Sequence, residues 1–179
     1  TDDNIKGILL NIDNISAGLA SVEEIRNSLL DFKENSGKFI YSYSETYSQG
    51  AYYLSSVADE IYLYPTGMLD FRGLGTELMF FKGTLDKLGI EMQIIRGSNN
   101  KFKSAVEPFI YKQMSDANRE QMMLLLNSVW SNMLTNIKTS RNISLEEMNE
   151  IADSVYVRDA KSAVDYQLVD KLIYEDELF

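Results

Sequence analysis

Neither Cys nor His occurs among the 179 residues, which excludes thiol nucleophiles, disulfides, Cys/His zinc sites and imidazole general bases. Any chemistry falls to Lys, Asp, Glu, Tyr, Ser or Thr. Two stretches concentrate such residues. The first, residues 42–53, reads SYSETYSQGAYY and gathers hydroxyls around Gly50, where a helix start would offer free backbone amides to an oxyanion. On composition alone the plainer reading, a polar turn with a buried Tyr pair, is favoured. The second, residues 96–109, reads RGSNNKFKSAVEPF and sets Lys103 between Phe102 and the apolar Ala105 and Val106. Such a setting favours the neutral amine that a general base requires, although spacing by itself describes an ordinary surface lysine. The competing amine, Lys101, reads as solvated. Asp13 in the 11–14 turn and the set Glu146, Glu147 and Glu150 are the acidic candidates for a cation. The glutamates, however, follow one solvated helix face and no spaced ligand set recurs, so neither a metal nor a cofactor is expected. Tyr41, Tyr43, Tyr62 and Tyr64 alternate along strands, which sheet packing explains.

The elements that must position these residues follow from periodicity. Apolar, β-favouring segments at 5–12, 38–44, 60–64, 91–96 and 169–174 predict strands. Val22, Ile25, Leu29 and Phe32 recur at helical spacing behind a capping box of Ser21 and Glu24. Leu78, Phe81, Leu85 and Leu88 repeat the rhythm and stop at Gly89, a residue suited to a helix C-terminus. A short helix ending near Asp59 follows the first hydroxyl-rich loop. The spacing predicts a long helix over 115–141, with Met122, Leu126, Val129, Met133 and Ile137 on one face and Met123, Trp130 and Leu134 beside it. Ser144 and Glu147 form a further capping box for a helix that turns Leu145, Met148 and Ile151 inward. Residues 159–166 predict a last short helix. Strands alternating with helices predict an α/β fold with a mainly parallel sheet and flanking helices, because parallel neighbours need crossover connections. Strand-to-helix loops of such a sheet emerge at one edge, so the loops bearing Gly50 and Lys103 are expected together there.

Composition sets the outer limits. A hydrophobic fraction of 45% and a charged fraction of 25% describe a folded chain, expected as a single domain over residues 1–179. The net charge of −10 repels a phosphate backbone, so nucleic-acid binding is not expected. The longest apolar run, 122–126, falls far short of the roughly 20 residues that cross a bilayer. The chain opens on Thr-Asp-Asp-Asn without Met or a signal pattern, and it reads as a piece of a longer protein.

The run KSAVEPF at 103–109 closely resembles the segment that carries the general-base lysine in the signal peptide peptidase A, or protease IV, family in its long two-domain form. YSQGAYYLSSVADEIYLYPTG at 47–67, FRGLGTELMFFKGTLDKLGIEMQIIRG at 71–97 and AVDYQLVDKL at 163–172 resemble the same family in the same order. The resemblance implies a crotonase-like or Clp-protease-like fold of ββα units, with this chain as the amino-terminal of two homologous domains. It implies a Ser/Lys dyad in which Lys103 is the catalytic base, the nucleophilic serine being supplied by the carboxy-terminal sister domain. Where that sister domain carries its serine, followed by two glycines and an aromatic, this chain reads Ser48-Gln49-Gly50-Ala51-Tyr52. Gln49 therefore stands at the nucleophile's position and cannot attack a carbonyl. Ser48 lies one position off and reads as a structural turn hydroxyl. Ser104 is left with two roles, orienting the amine or capping the following turn. The family further implies peptide substrates, cleaved signal peptides among them, a homo-oligomeric assembly, and a membrane-tethered protein with this domain on the extracytoplasmic side. The alternative is an inactive crotonase-fold scaffold that serves oligomerisation.

Overall fold

Strands β1 (Gly7–Asn11), β2 (Phe39–Tyr47), β3 (Glu60–Leu69) and β4 (Lys171–Leu172) form one sheet in the order β1-β2-β3-β4, every neighbouring pair parallel. The computed structural model describes residues 2–95 and 102–178. Seven helices flank or follow the strands among these residues: α1 (Leu19–Ser36), α2 (Gln49–Ser55), α3 (Lys82–Lys87), α4 (Glu107–Ile110), α5 (Asp116–Arg141), α6 (Leu145–Asp153) and α7 (Ala160–Asp165). A short 3-10 turn, Glu175–Glu177, closes the described chain. The expected α/β architecture, a parallel sheet with flanking helices, is the one observed. In chain order the first elements run β1-α1-β2-α2-β3, and the crossovers α1 and α2 let these strands lie parallel.

The chain divides into two compact units, one of Thr1–Gly73 with Asn132–Phe179 and one of Leu74–Ser131. In the first, alternate strand positions face the core: Ile40, Ser42 and Ser44 on β2 are fully buried, as are Ile61 and Leu63 on β3, the partners of Ser42 and Ser44. Val22 and Leu29 of α1, Leu134 and Ile137 of α5, Met148 and Ile151 of α6 and Ala163 of α7 complete the buried set. The helical stripes read from the sequence supply most of these. Arg26, by contrast, is buried on α1, donating to Asn136 O at 2.7 Å and Ser140 Oγ at 2.8 Å, with its guanidinium over the Tyr53 ring. It ties α1 to the last turns of α5, whose carbonyls attract a cation.

The capping box expected at Ser21 and Glu24 is not used. Helix α1 begins a turn earlier, with extended Gly18 as N-cap and its carbonyl accepting the Val22 N–H at 3.1 Å. Leu19, Ala20 and Ser21 all tolerate helix, so nothing local stops the helix from running back. The box at Ser144 does form its first half, the Ser144 hydroxyl accepting the Glu147 N–H at 3.1 Å. Where β2 pairs with β3, Ser44 opposes Leu63 and Thr46 opposes Met68, so β3 carries extra residues around Pro65. Proline has no N–H for the ladder, which suits it to that irregular stretch. Gly67 lets the backbones close again, since a Cβ there would lie 2.4 Å from the Glu45 carbonyl oxygen.

In the second unit the expected strand at 91–96 is absent over residues 91–95, and Arg96 lies outside the described residues. A strand persists through its ladder, and Met92 and Ile95 instead lie exposed with no strand of the sheet paired to them. The helix expected from Leu78 to Leu88 is shortened to α3. Phe81 becomes its N-cap because its N–H is donated to Pro108 O at 2.7 Å and its ring stacks on Phe109 at 5.9 Å. Gly89 follows with φ +68°, as a helix C-terminus favours. Helix α5 meets its predicted bounds within one residue, although Met123, Leu124 and Leu125 near its start are exposed.

Candidate active site

The first hydroxyl-rich stretch is consumed by structure. Ser42 Oγ lies 2.9 Å from both Ser55 Oγ and the Tyr47 hydroxyl, and Tyr47 donates onward to Tyr62 O at 3.1 Å. Burial pushes the Tyr47 phenol well above its ordinary range, against the pull of Ser42 and Ser55, and Tyr52 is raised by burial as well. Both phenols therefore stay protonated at neutral pH. Ser44 donates to Asp13 Oδ1 at 2.5 Å and accepts the Thr46 N–H at 3.0 Å. Asp13, weighed earlier as a cation ligand, thus serves to fasten the end of β2.

The carboxyl ends of three parallel strands converge on Ser48 and Gln49, the edge where ligands collect in such sheets. Ser48 N–H donates to Asp13 O beyond β1 at 2.9 Å, and Asp70 N–H beyond β3 donates to Tyr47 O at 2.8 Å. Ser48 itself is the extended N-cap of α2, its hydroxyl accepting the Ala51 N–H at 3.3 Å. This is the structural turn hydroxyl that the sequence describes. Gln49 has a role the sequence did not reveal. Its Oε1 accepts the Arg72 and Gly73 N–H groups, each at 3.1 Å, and its Nε2 donates to Gly73 O at 3.0 Å. The carboxamide therefore clamps the turn after β3, where Gly73 adopts φ +86°. Gly50 is half-buried, and a Cβ placed on it would meet nothing within 4 Å, so space stands open over the first turn of α2.

Lys103 lies in the second unit and is exposed, as is its neighbour Phe102. The apolar flank read from the sequence does not cover the amine. Lys101 lies outside the described residues. The loop that bears Lys103 is nevertheless held from two directions. Pro108 O accepts the Phe81 N–H, and Phe109 stacks on Phe81, which fastens the loop to the start of α3. Glu107, 4% exposed, fastens it to the start of α5: its Oε1 accepts the Ser115 hydroxyl at 2.6 Å, and its Oε2 accepts the Ser115 N–H at 3.2 Å and the Asn118 side-chain N–H at 2.9 Å. Ser104 accepts the Glu107 N–H on its carbonyl at 2.9 Å, so its backbone closes the turn into α4. The sequence held one clue to Glu107: an acid four residues past the lysine and just ahead of Ser115, an N-cap residue type preceding a long helix.

The first unit is a parallel α/β sheet with a helix start open at Gly50, and the second carries the anchored loop of Lys103. The profile of peptidase family S49 matches residues 33–179, and the chain belongs to that family. Protease 4 of Salmonella typhi is 38% identical over 96% of this chain and 28% of its own length. Protease 4 of Haemophilus influenzae is 38% identical over 82% of this chain and 24% of its own length. The chloroplastic serine protease SPPA of Arabidopsis thaliana is 33% identical, over 99% of this chain and 26% of its own length. This chain thus spans about a quarter of each of these curated relatives. A peptidase structure from Plasmodium falciparum overlays with a TM-score of 0.47 at 12% identity, covering 97% of this chain and 81% of that one.

Proposed function

We propose that this chain is the amino-terminal, lysine-bearing domain of a longer serine peptidase, and that Lys103 is the general base of a Ser/Lys dyad. The observation that carries the reading is the KSAVEPF loop in a chain of family S49, with Lys103 free at the surface and its backbone anchored by Glu107 and Pro108. Gln49 at the nucleophile's position supports a serine drawn from the sister domain, since a carboxamide cannot attack a carbonyl.

In the proposed reaction neutral Lys103 accepts the proton of that serine hydroxyl as its oxygen attacks a peptide carbonyl. Backbone amides hold the tetrahedral oxyanion, and the lysine returns the proton to the leaving amine. Water, deprotonated by the same amine, then releases the acyl group. The substrates are cleaved signal peptides and other peptides. The whole protein is a homo-oligomer tethered to a membrane upstream of this domain, which lies on the extracytoplasmic side. No helix among the described residues is long and apolar enough to cross a membrane. A second reading, an inactive scaffold for assembly, draws on Met79, Ile95 and Leu124, which the second unit leaves 77%, 101% and 66% exposed.

Substituting Lys103→Ala in the full two-domain protein separates the two. Loss of a general base lowers turnover by about a hundredfold or more, with the circular dichroism spectrum and thermal midpoint unchanged. Peptide hydrolysis near the wild-type rate would exclude the role.

A further inference from the structure

We propose that Glu107 is the positioning residue for Lys103, an inference that rests on the reading of Lys103 as base. Lys103 is exposed, so side-chain packing does not fix its amine, and the place of the amine must come from the backbone of its loop. That backbone is set by Glu107. The Glu107 N–H closes on Ser104 O at 2.9 Å, one residue from Lys103, and the Glu107 carbonyl accepts the Tyr111 N–H at 2.9 Å. The carboxylate then fixes the turn to α5 through Ser115 and Asn118.

A buried carboxylate is a costly way to dock a loop unless its oxygens are satisfied. Here both oxygens accept, the donors are Ser115, just ahead of a 26-residue helix, and Asn118 in its first turn, and the positive end of that helix favours the charge. Hydrogen bonds of defined direction specify one loop position, where an apolar plug would tolerate several. A base has to sit within about 0.5 Å of its productive place, and a shift of about 1 Å costs on the order of a hundredfold in rate. Gln at 107 preserves the arrangement: its oxygen can take the Ser115 and Asn118 N–H groups, and its amide can donate to the Ser115 hydroxyl, which reverses. Ala strands these donors.

The test measures kcat and KM for Glu107→Ala, Glu107→Gln and Lys103→Ala in the full two-domain protein, with amide hydrogen exchange on the same variants. Expected for Glu107→Ala is a fall in kcat of about tenfold or more, KM within about twofold, and faster exchange at Glu107 and Ser115. Glu107→Gln should restore kcat to within a few-fold. Should Glu107→Ala fold poorly, Asn118→Ala removes one of the bonds described for Glu107 and is expected to lower kcat less, again with KM unchanged. Wild-type kcat in Glu107→Ala, a loss of kcat that only tracks the unfolded fraction, or Glu107→Gln as impaired as Ala would overturn the proposal. Lys103→Ala reads the underlying assignment separately: an active Lys103→Ala refutes the base, whereas an inactive one beside an unimpaired Glu107→Ala refutes the positioning role alone.

Discussion

At the scale of single residues, Gln49 shows how a position that has no nucleophile can still be held to one side-chain type. Its carboxamide both accepts from and donates to the turn at Arg72 and Gly73, a pattern that a carboxylate, which has no donor, does not complete. The site is half-exposed, so water partly replaces lost bonds. Gln49→Ala is expected to lower unfolding stability by about 1 to 2 kcal/mol, read from urea denaturation, with Gln49→Glu in between because it keeps the acceptors and loses the donor. No change in the Ala variant would mean that the clamp is unimportant in solution.

At the scale of elements, the junction of β2 and β3 depends on Gly67. A Cβ there meets the Glu45 carbonyl oxygen at 2.4 Å, the Tyr64 carbonyl oxygen at 2.9 Å and Leu63 Cδ1 at 2.9 Å, two of them backbone atoms that cannot swing away. Gly67→Ala should cost about 1 to 3 kcal/mol or more, whereas Gly50→Ala, with nothing within 4 Å, should be neutral or slightly stabilising in α2. Equal unfolding midpoints for the two variants would contradict the close approach. The start of β2 is pinned differently, by Asp59, which accepts the Ile40 N–H at 2.8 Å and pairs with Lys33 at 2.6 Å. Burial pushes the Asp59 carboxyl up, but the Lys33 and Ile40 hydrogen bonds outweigh it and leave the group below its ordinary value of 3.8. A carboxyl depressed on folding contributes stability above its unfolded value and loses it as pH falls through the folded one. Thermal midpoints measured from neutral pH down past 3.8 should therefore fall less steeply in Asp59→Asn than in the wild type. Parallel curves would show that Asp59 is not the linked group.

At the scale of the whole molecule, a base and a nucleophile must meet within about 3 Å for acyl transfer. On the proposed reading Gln49 stands where the family's serine would be, and the Ser48 hydroxyl is engaged as the cap of α2. If the proposed two-domain dyad holds, the 179-residue chain alone is expected not to hydrolyse a fluorogenic peptide, whereas the full-length protein is expected to cleave it. Turnover by the purified chain, abolished by Ser48→Ala and insensitive to contaminant controls, would place a self-contained dyad here and remove the need for a partner domain.

The sequence by itself determined the alternation of strands and helices, the parallel sheet that alternation requires, the span of α5, and the family, because these rest on local periodicity and on motifs whose residues lie next to one another. Tertiary structure decided the rest. The segment at 91–96 has the composition of a strand, yet strand formation depends on a partner ladder that composition does not supply. Leu78 has helical spacing, yet Phe81 is spent on Pro108 and Phe109 and the helix starts after it. Arg26, Gln49 and Glu107 read as ordinary polar residues in the chain. Their partners lie 110, 24 and 8 residues away, and only folding, by bringing those groups to buried or half-buried side chains, turns them into the fastenings of a helix, a turn and the lysine loop.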